Sequence, residues 1–169
     1  MNLDLLIQQM TDHANAVRSL AGTVSDEQAH WKPAPDSWSI LEVVNHLYDE
    51  ERLDFRARLD IILHHPNQPW SPIDPPGWVI ERRYNEREPQ GSLKNFLEER
   101  AARPARLRGL PGPDWQAAYQ APWGPITAGD MFAAWVAHDI LHLRQLVELH
   151  YAYTVRSVQP YEVRYAGEW

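Results

Sequence analysis

Residues 127–150, Thr127-Ala-Gly-Asp-Met-Phe-Ala-Ala-Trp-Val-Ala-His138-Asp-Ile-Leu-His142-Leu-Arg-Gln-Leu-Val-Glu-Leu-His150, decide how the chain folds. The stretch opens with Thr127 and Asp130 in capping-box spacing, where each side chain can satisfy an amide that the first turn leaves free. Phe132, Trp135, Val136, Ile140, Leu143, Leu146 and Leu149 then recur at the spacing of an amphipathic helix. His138 and His142 lie four residues apart, so their Cβ atoms stand about 5–6 Å apart on one side of that helix. Two imidazoles so placed can converge on one cation. The 8 histidines of the chain also produce such pairs by chance, so spacing alone leaves hydrogen-bonded core histidines as an equal reading.

Working outward, three more segments carry the same period. Leu3, Leu6, Met10, His13, Val17 and Leu20 form one face of a helix over about 2–20. A second helix starts at Ser39, which stands in capping-box spacing with Glu42. It carries Ile40, Val44, Leu47, Phe55, Leu59 and Ile62 and is stopped by Pro66 after His64. A third begins near Ser92 with Leu93, Phe96, Leu97 and Leu107, and Pro104 predicts a kink or an early end. Residues 66–91 form a long connection whose Trp70 and Trp78 point to packing against the helices. A second Pro/Gly-rich crossing precedes Thr127, and the tail from Tyr151 to Trp169, without clear period, is expected to lie across the surface. No alternation is long enough to build a sheet. The expectation is one all-α domain over 1–169, a four-helix bundle with long crossover connections.

The composition removes several function classes. Acids outnumber bases by 23 to 16, a formal charge of -7, which argues against a duplex nucleic-acid partner. The two arginine-bearing stretches, Arg82–Arg87 and Arg100–Arg108, are interrupted and read as solvated or salt-bridged surface. The absence of cysteine eliminates disulfides, thiolate nucleophiles and Cys-ligated metals, so a metal site must use His, Asp and Glu. No stretch reaches the roughly 18 apolar residues of a membrane span. The N-terminus has an early acid and no basic region, so a cytoplasmic location is the expectation.

A third ligand for His138 and His142 must come from another helix, and His46, beside the apolar stripe of the second helix, is the natural candidate. Three imidazoles with open positions are the layout of a catalytic metal, which can acidify a water or polarise a substrate oxygen. Asp49 and Glu50 follow one turn later and are candidates for support, an extra ligand or, for Glu50 above all, a general base. His13 reads as core or pocket lining. Asp139 points roughly 100° away from its histidine neighbours and reads as exposed or as an outer support. His30 falls in a turn, His64 and His65 at a helix end, and His150 near a helix C-terminus whose dipole it would favour.

Three segments together resemble the DinB-like superfamily of bacterial proteins, whose YfiT-type members are regarded as metal hydrolases. They are Trp38-Ser-Ile-Leu-Glu-Val-Val-Asn-His46, Trp78-Val-Ile-Glu-Arg-Arg-Tyr-Asn85 and Trp135-Val-Ala-His-Asp-Ile-Leu-His-Leu-Arg-Gln145. The resemblance implies a four-helix bundle with a histidine triad holding one divalent metal, commonly nickel or zinc, and maps that triad to His46, His138 and His142. It also implies a small-molecule substrate, acted on by hydrolysis or by S-transfer from a low-molecular-weight thiol such as bacillithiol, mycothiol or glutathione, in a chain that can form a homodimer. The alternative is a non-catalytic metal-binding or dimerisation bundle of the stress-response type. The family's damage-inducible name suggests nucleic acid, against which the acidic charge argues.

Overall fold

The computed structural model describes residues 1–168. Helix α1 spans Leu3–Ala21 and the short α2 Asp26–His30. Helix α3, Ile40–Asp49, passes through a π-helical turn at Glu50–Phe55 into α4, Arg56–His64. Helix α5 is Pro75–Glu81, α6 Pro89–Ala101 and α7 Arg103–Arg108. A two-stranded hairpin, β1 Ala118–Ala121 and β2 Gly124–Thr127, leads into α8, Ala128–Ser157. The four long units of the bundle are therefore α1, α3–α4, α6–α7 and α8.

Their starts are set where the sequence places caps. Ser39 Oγ accepts from the amide of Glu42 at 3.1 Å while Glu42 Oε2 accepts from the amide of Ser39 at 2.9 Å. Thr127 and Asp130 repeat the arrangement at the head of α8. The break expected at Pro104 occurs: α6 ends at Ala101 and Pro104 sits in the first turn of α7, where a missing N–H costs nothing.

Helix α1 packs along α8 and α6, and α3 packs along α6 and α8. The next long unit after α1, α3–α4, thus stands across the bundle from it, and α8 stands across from α6. The connections over 22–39 and 109–127 make these two diagonal crossings. This is the crossover bundle that the long connections imply.

Four features depart from the reading of the sequence. The segment 118–127 forms an antiparallel hairpin, Ala118 opposite Thr127 and Ala121 opposite Gly124. Strands of four residues are too short to show a period of two. The long connection over 66–91 contains α5, capped by Asp74 accepting from the amide of Gly77 at 3.1 Å, with Trp78 buried beneath it. A side chain at Gly77 would collide with that capping carboxylate. Helix α8 continues past His150 to Ser157, because its last turns dock on α2: Tyr153 meets Trp31 edge-on at 5.4 Å and Arg156 pairs with Glu27 at 3.0 Å. Ile140, on the expected apolar stripe of α8, is 52% exposed. Trp169 lies outside the described residues.

Among the described residues the core has two large apolar clusters and a small third one of Trp78, Val79 and Tyr84. Of the large two, one gathers Ile7, Met10, Phe55, Leu59, Phe132 and Trp135, the other Val17, Val43, Val44, Leu47, Phe96 and Leu146. Between them runs a waist of polar side chains: His13, His46, Glu51, Arg100, His138 and Asp139. Among the described residues, no helix is long and apolar enough to cross a membrane.

Candidate metal centre

The capping box at Ser39 fixes where α3 begins, and two turns later His46 faces the bundle interior, 4% exposed. On α8 the buried Trp135 and Val136 hold the core face, which turns His138 and His142 toward His46. The three Nε2 atoms meet: His46 to His142 at 3.0 Å, His142 to His138 at 3.1 Å and His46 to His138 at 3.4 Å. No fourth His, Asp or Glu joins this group among the described residues.

Protons alone cannot satisfy such a cluster. His142 Nδ1 lies 2.9 Å from the amide oxygen of Gln145, which only accepts, so Nδ1 carries the hydrogen and Nε2 presents a bare lone pair. His46 Nδ1 is buried without a hydrogen-bond partner. Charge is also excluded. Burial, and then the neighbouring imidazoles of His142 and His138, push His46 down to about 2. Burial and His142 push His138 down to about 4, and burial lowers His142 as well. At neutral pH three uncharged imidazoles aim at one point, the donor set that suits a divalent transition metal.

The acids expected nearby take different places. Asp49 accepts from Arg82 at 2.6 Å and from the hydroxyl of Tyr84, so it anchors the 82–84 segment and does not face the triad. Burial pushes the Tyr84 hydroxyl up, and its bond to the Asp49 carboxylate pushes the same way. Glu50 is buried with Oε1 3.9 Å from Nδ1 of His46, behind the ring and away from the point where the Nε2 atoms meet. Burial, and then the Asp54 carboxylate, push Glu50 up to about 8. The π turn over 50–55 sets this: its extra residue brings Glu50, Glu51, Asp54 and Phe55 all to the interior.

Asp139 is buried, which removes the exposed alternative. It accepts both arms of Arg100, at 2.6 and 2.9 Å, and lies 3.3 Å from Nδ1 of His13. Burial pushes Asp139 up, but the Arg100 guanidinium and His13 outweigh it and hold the carboxyl below its usual range. Arg100 also holds Glu51 at 2.7 Å and the carbonyl of Met10 at 3.2 Å, and Glu51 accepts from Trp135 Nε1 at 3.0 Å. The network ties α1, the π turn, α6 and α8 together directly behind His138. The expectation of Arg100 as surface is corrected: it is salt-bridged but 3% exposed, its charge met by two carboxylates.

His13 is the lining residue expected of it, and it contacts Asp139 instead of joining the triad. His150 lies within α8, with Nε2 2.6 Å from the carbonyl of Leu20, so it braces α1 and does not serve the helix end. His30 belongs to α2 and turns back to the carbonyl of Asp26 at 2.7 Å. Gln145 and Trp38 were not singled out from the sequence as parts of the centre. Trp38 packs its ring 4.9 Å from that of His46 and parallel to that of His142 at 6.2 Å. A glutamine three residues after a helical histidine was the available signal for Gln145.

A model of the DinB superfamily matches residues 9–146, most of the chain. The chain belongs to the DinB superfamily. Among solved structures, YfiT from Bacillus subtilis is similar to this DinB chain with a TM-score of 0.76 and 22% sequence identity, over 87% of this chain and 85% of the other. YfiT is described as "a probable metal-dependent hydrolase with an unusual four-helix bundle topology". At that identity the likeness establishes the shared fold. Among curated proteins none matches the chain.

Proposed function

We propose that this DinB-superfamily chain is a metal-dependent hydrolase of a small molecule, with His46, His138 and His142 holding one divalent transition metal, nickel or zinc. The observation that carries the reading is the convergence of three uncharged Nε2 atoms within 3.0–3.4 Å of one another, with no fourth His, Asp or Glu among the described residues. A closed structural site takes four protein ligands, whereas three leave a position for substrate or water. The metal supplies Lewis acidity toward a water and a substrate oxygen.

The residues of the chain do the rest. Gln145 holds the hydrogen of His142 on Nδ1, so that Nε2 stays a donor atom. Glu50, with Oε1 3.9 Å from Nδ1 of His46, is proposed as the support that steadies this ring in preference to a general base. Asp139, fixed by Arg100, keeps α8 in register beside His138. The apolar clusters on either side of the waist keep bulk water from His46, while His138 and His142 stay half-buried. The whole chain, 1–169, is proposed to work as one domain.

The test is turnover by protein loaded separately with zinc, nickel, manganese and iron, on panels of chromogenic esters, amides and phosphoesters, each run with and without a low-molecular-weight thiol. Hydrolysis without thiol, lost in the His138→Ala, His142→Ala double variant, supports the reading. Turnover only with thiol would replace hydrolysis by S-transfer. A fully loaded protein that turns over nothing more than its double variant does would leave a non-catalytic bundle.

A further inference from the structure

A cleft of about 560 Å³ opens beside the triad, with the ring of His142 in its wall. That is the volume of a small-molecule site. Trp38, Leu149 and Ala152 give it apolar walls, and Asp36 and Glu148 bring two carboxylates to it. No lysine or arginine lines it. Of the nearby cations, Lys32 holds Glu42 at 2.7 Å, and Arg144, outside the lining, pairs with Glu148 itself at 3.3 Å between exposed side chains, which leaves Asp36 as the cleft carboxylate without an ion pair.

Trp38 adds a second, independent observation. Guanidinium groups sit over the rings of Trp70, Trp78 and Tyr84, at 4.5, 4.0 and 4.8 Å. Among the described residues none sits over Trp38. An indole without a cation partner, in a cleft lined by no lysine or arginine and by two carboxylates of which Asp36 has no ion pair, attracts a cation through the ring quadrupole and through simple Coulomb attraction.

We propose that this cleft is the substrate site of the metal centre and that it selects small molecules with an apolar body and a cationic or neutral head. Anionic molecules are disfavoured there, including thiols that carry several carboxylates. Trp38 is the platform, and Asp36 and Glu148 determine the selectivity. The inference rests on the reading of the triad as a metal site, and it weighs hydrolysis above transfer from an anionic thiol.

The test is calorimetric titration of the zinc-loaded full chain with four probes. They are benzyltrimethylammonium, benzyl alcohol, benzenesulfonate, and S-methylglutathione, whose blocked sulfur leaves its charges to be read. The cation should bind about tenfold tighter than the sulfonate, and S-methylglutathione should bind no better than the sulfonate. Asp36→Asn with Glu148→Gln should bring cation and sulfonate within about twofold of each other while leaving benzyl alcohol unchanged. Ala152→Trp should block all binding at unchanged metal content. Equal or tighter binding of either anion, or a preference for the cation that survives the double substitution, would overturn the inference. Metal content is measured in every sample. A cation preference in a chain that takes up no metal would sink the metal reading and, with it, the substrate role; a metal-bearing chain without the preference would sink the cleft alone.

Discussion

His142 Nδ1 donates to the amide oxygen of Gln145 at 2.9 Å, three residues along α8, and the opposite nitrogen of the same ring lies 3.0 Å from Nε2 of His46. One hydrogen bond therefore decides which nitrogen of His142 faces its partners. Gln145→Leu removes that acceptor and frees the ring to exchange tautomers and to turn. Metal affinity should fall by about 10–100-fold with little change in unfolding midpoint of the metal-free protein. Competition with a calibrated chelator measures it. Unchanged affinity would show that Gln145 does not hold the ring.

Arg100 is buried between Glu51 and Asp139, and removing it strands two carboxylates in the interior. Arg100→Met should cost about 3–5 kcal/mol in urea unfolding, the scale of a broken buried pair. Arg106→Met, whose partner Asp60 is reached from a half-exposed position, should cost about 1 kcal/mol or less. Equal losses from the two would mean that burial does not set the difference.

In the metal-free protein the triad should weaken the fold as pH falls. An unfolded imidazole takes a proton as pH drops through about 6.5, while His138 resists until about 4 and His46 until about 2. Between about 6.5 and 4 the unfolded chain binds more protons, so unfolding becomes easier as pH decreases. Glu50, pushed up to about 8, acts with the opposite sign, since the folded state keeps a proton that the unfolded state has released. The comparison to make is therefore wild type against His46→Gln, His138→Gln, by urea midpoints at pH 7 and pH 5. Wild type should lose more on acidification than the variant. An equal or smaller loss would contradict the buried, uncharged state of the two rings.

Ser39 caps α3 and its hydroxyl also donates to Asn85 at 2.6 Å. Ser39→Ala should lower stability by about 1 kcal/mol. Because His46 rides on the helix that this cap starts, metal affinity should fall with it, whereas Ser25→Ala, which uncaps α2, should leave metal binding alone. Thermal unfolding and chelator competition on the pair separate the two effects.

Much of the fold was legible because caps and periodicity are local. Ser39, Thr127 and Pro104 mark element boundaries through their own backbone chemistry, and the structure places boundaries there. The hairpin at 118–127 and the last turns of α8 were not legible. The first is too short to carry a period, and the second depends on Trp31 and Glu27, more than 120 positions away in sequence from Tyr153 and Arg156. The three histidines could be paired by helical spacing and interior position. The burial of Arg100 could not be read, because an arginine becomes a core residue only when carboxylates from other helices, here Glu51 and Asp139, converge on it. Spacing left Glu50 open as support, extra ligand or general base, because the π turn that sets its place beside Nδ1 of His46 leaves no local mark in the sequence.

The most direct measurement is elemental analysis of the untagged, purified protein beside the His138→Ala, His142→Ala double variant, each before and after reconstitution. About one equivalent of nickel or zinc per chain in the wild type, absent from a variant that still folds, is the result expected of a three-histidine centre. A wild type that holds no transition metal after exposure to zinc, nickel, manganese and iron, or a variant that retains a full equivalent, would contradict it.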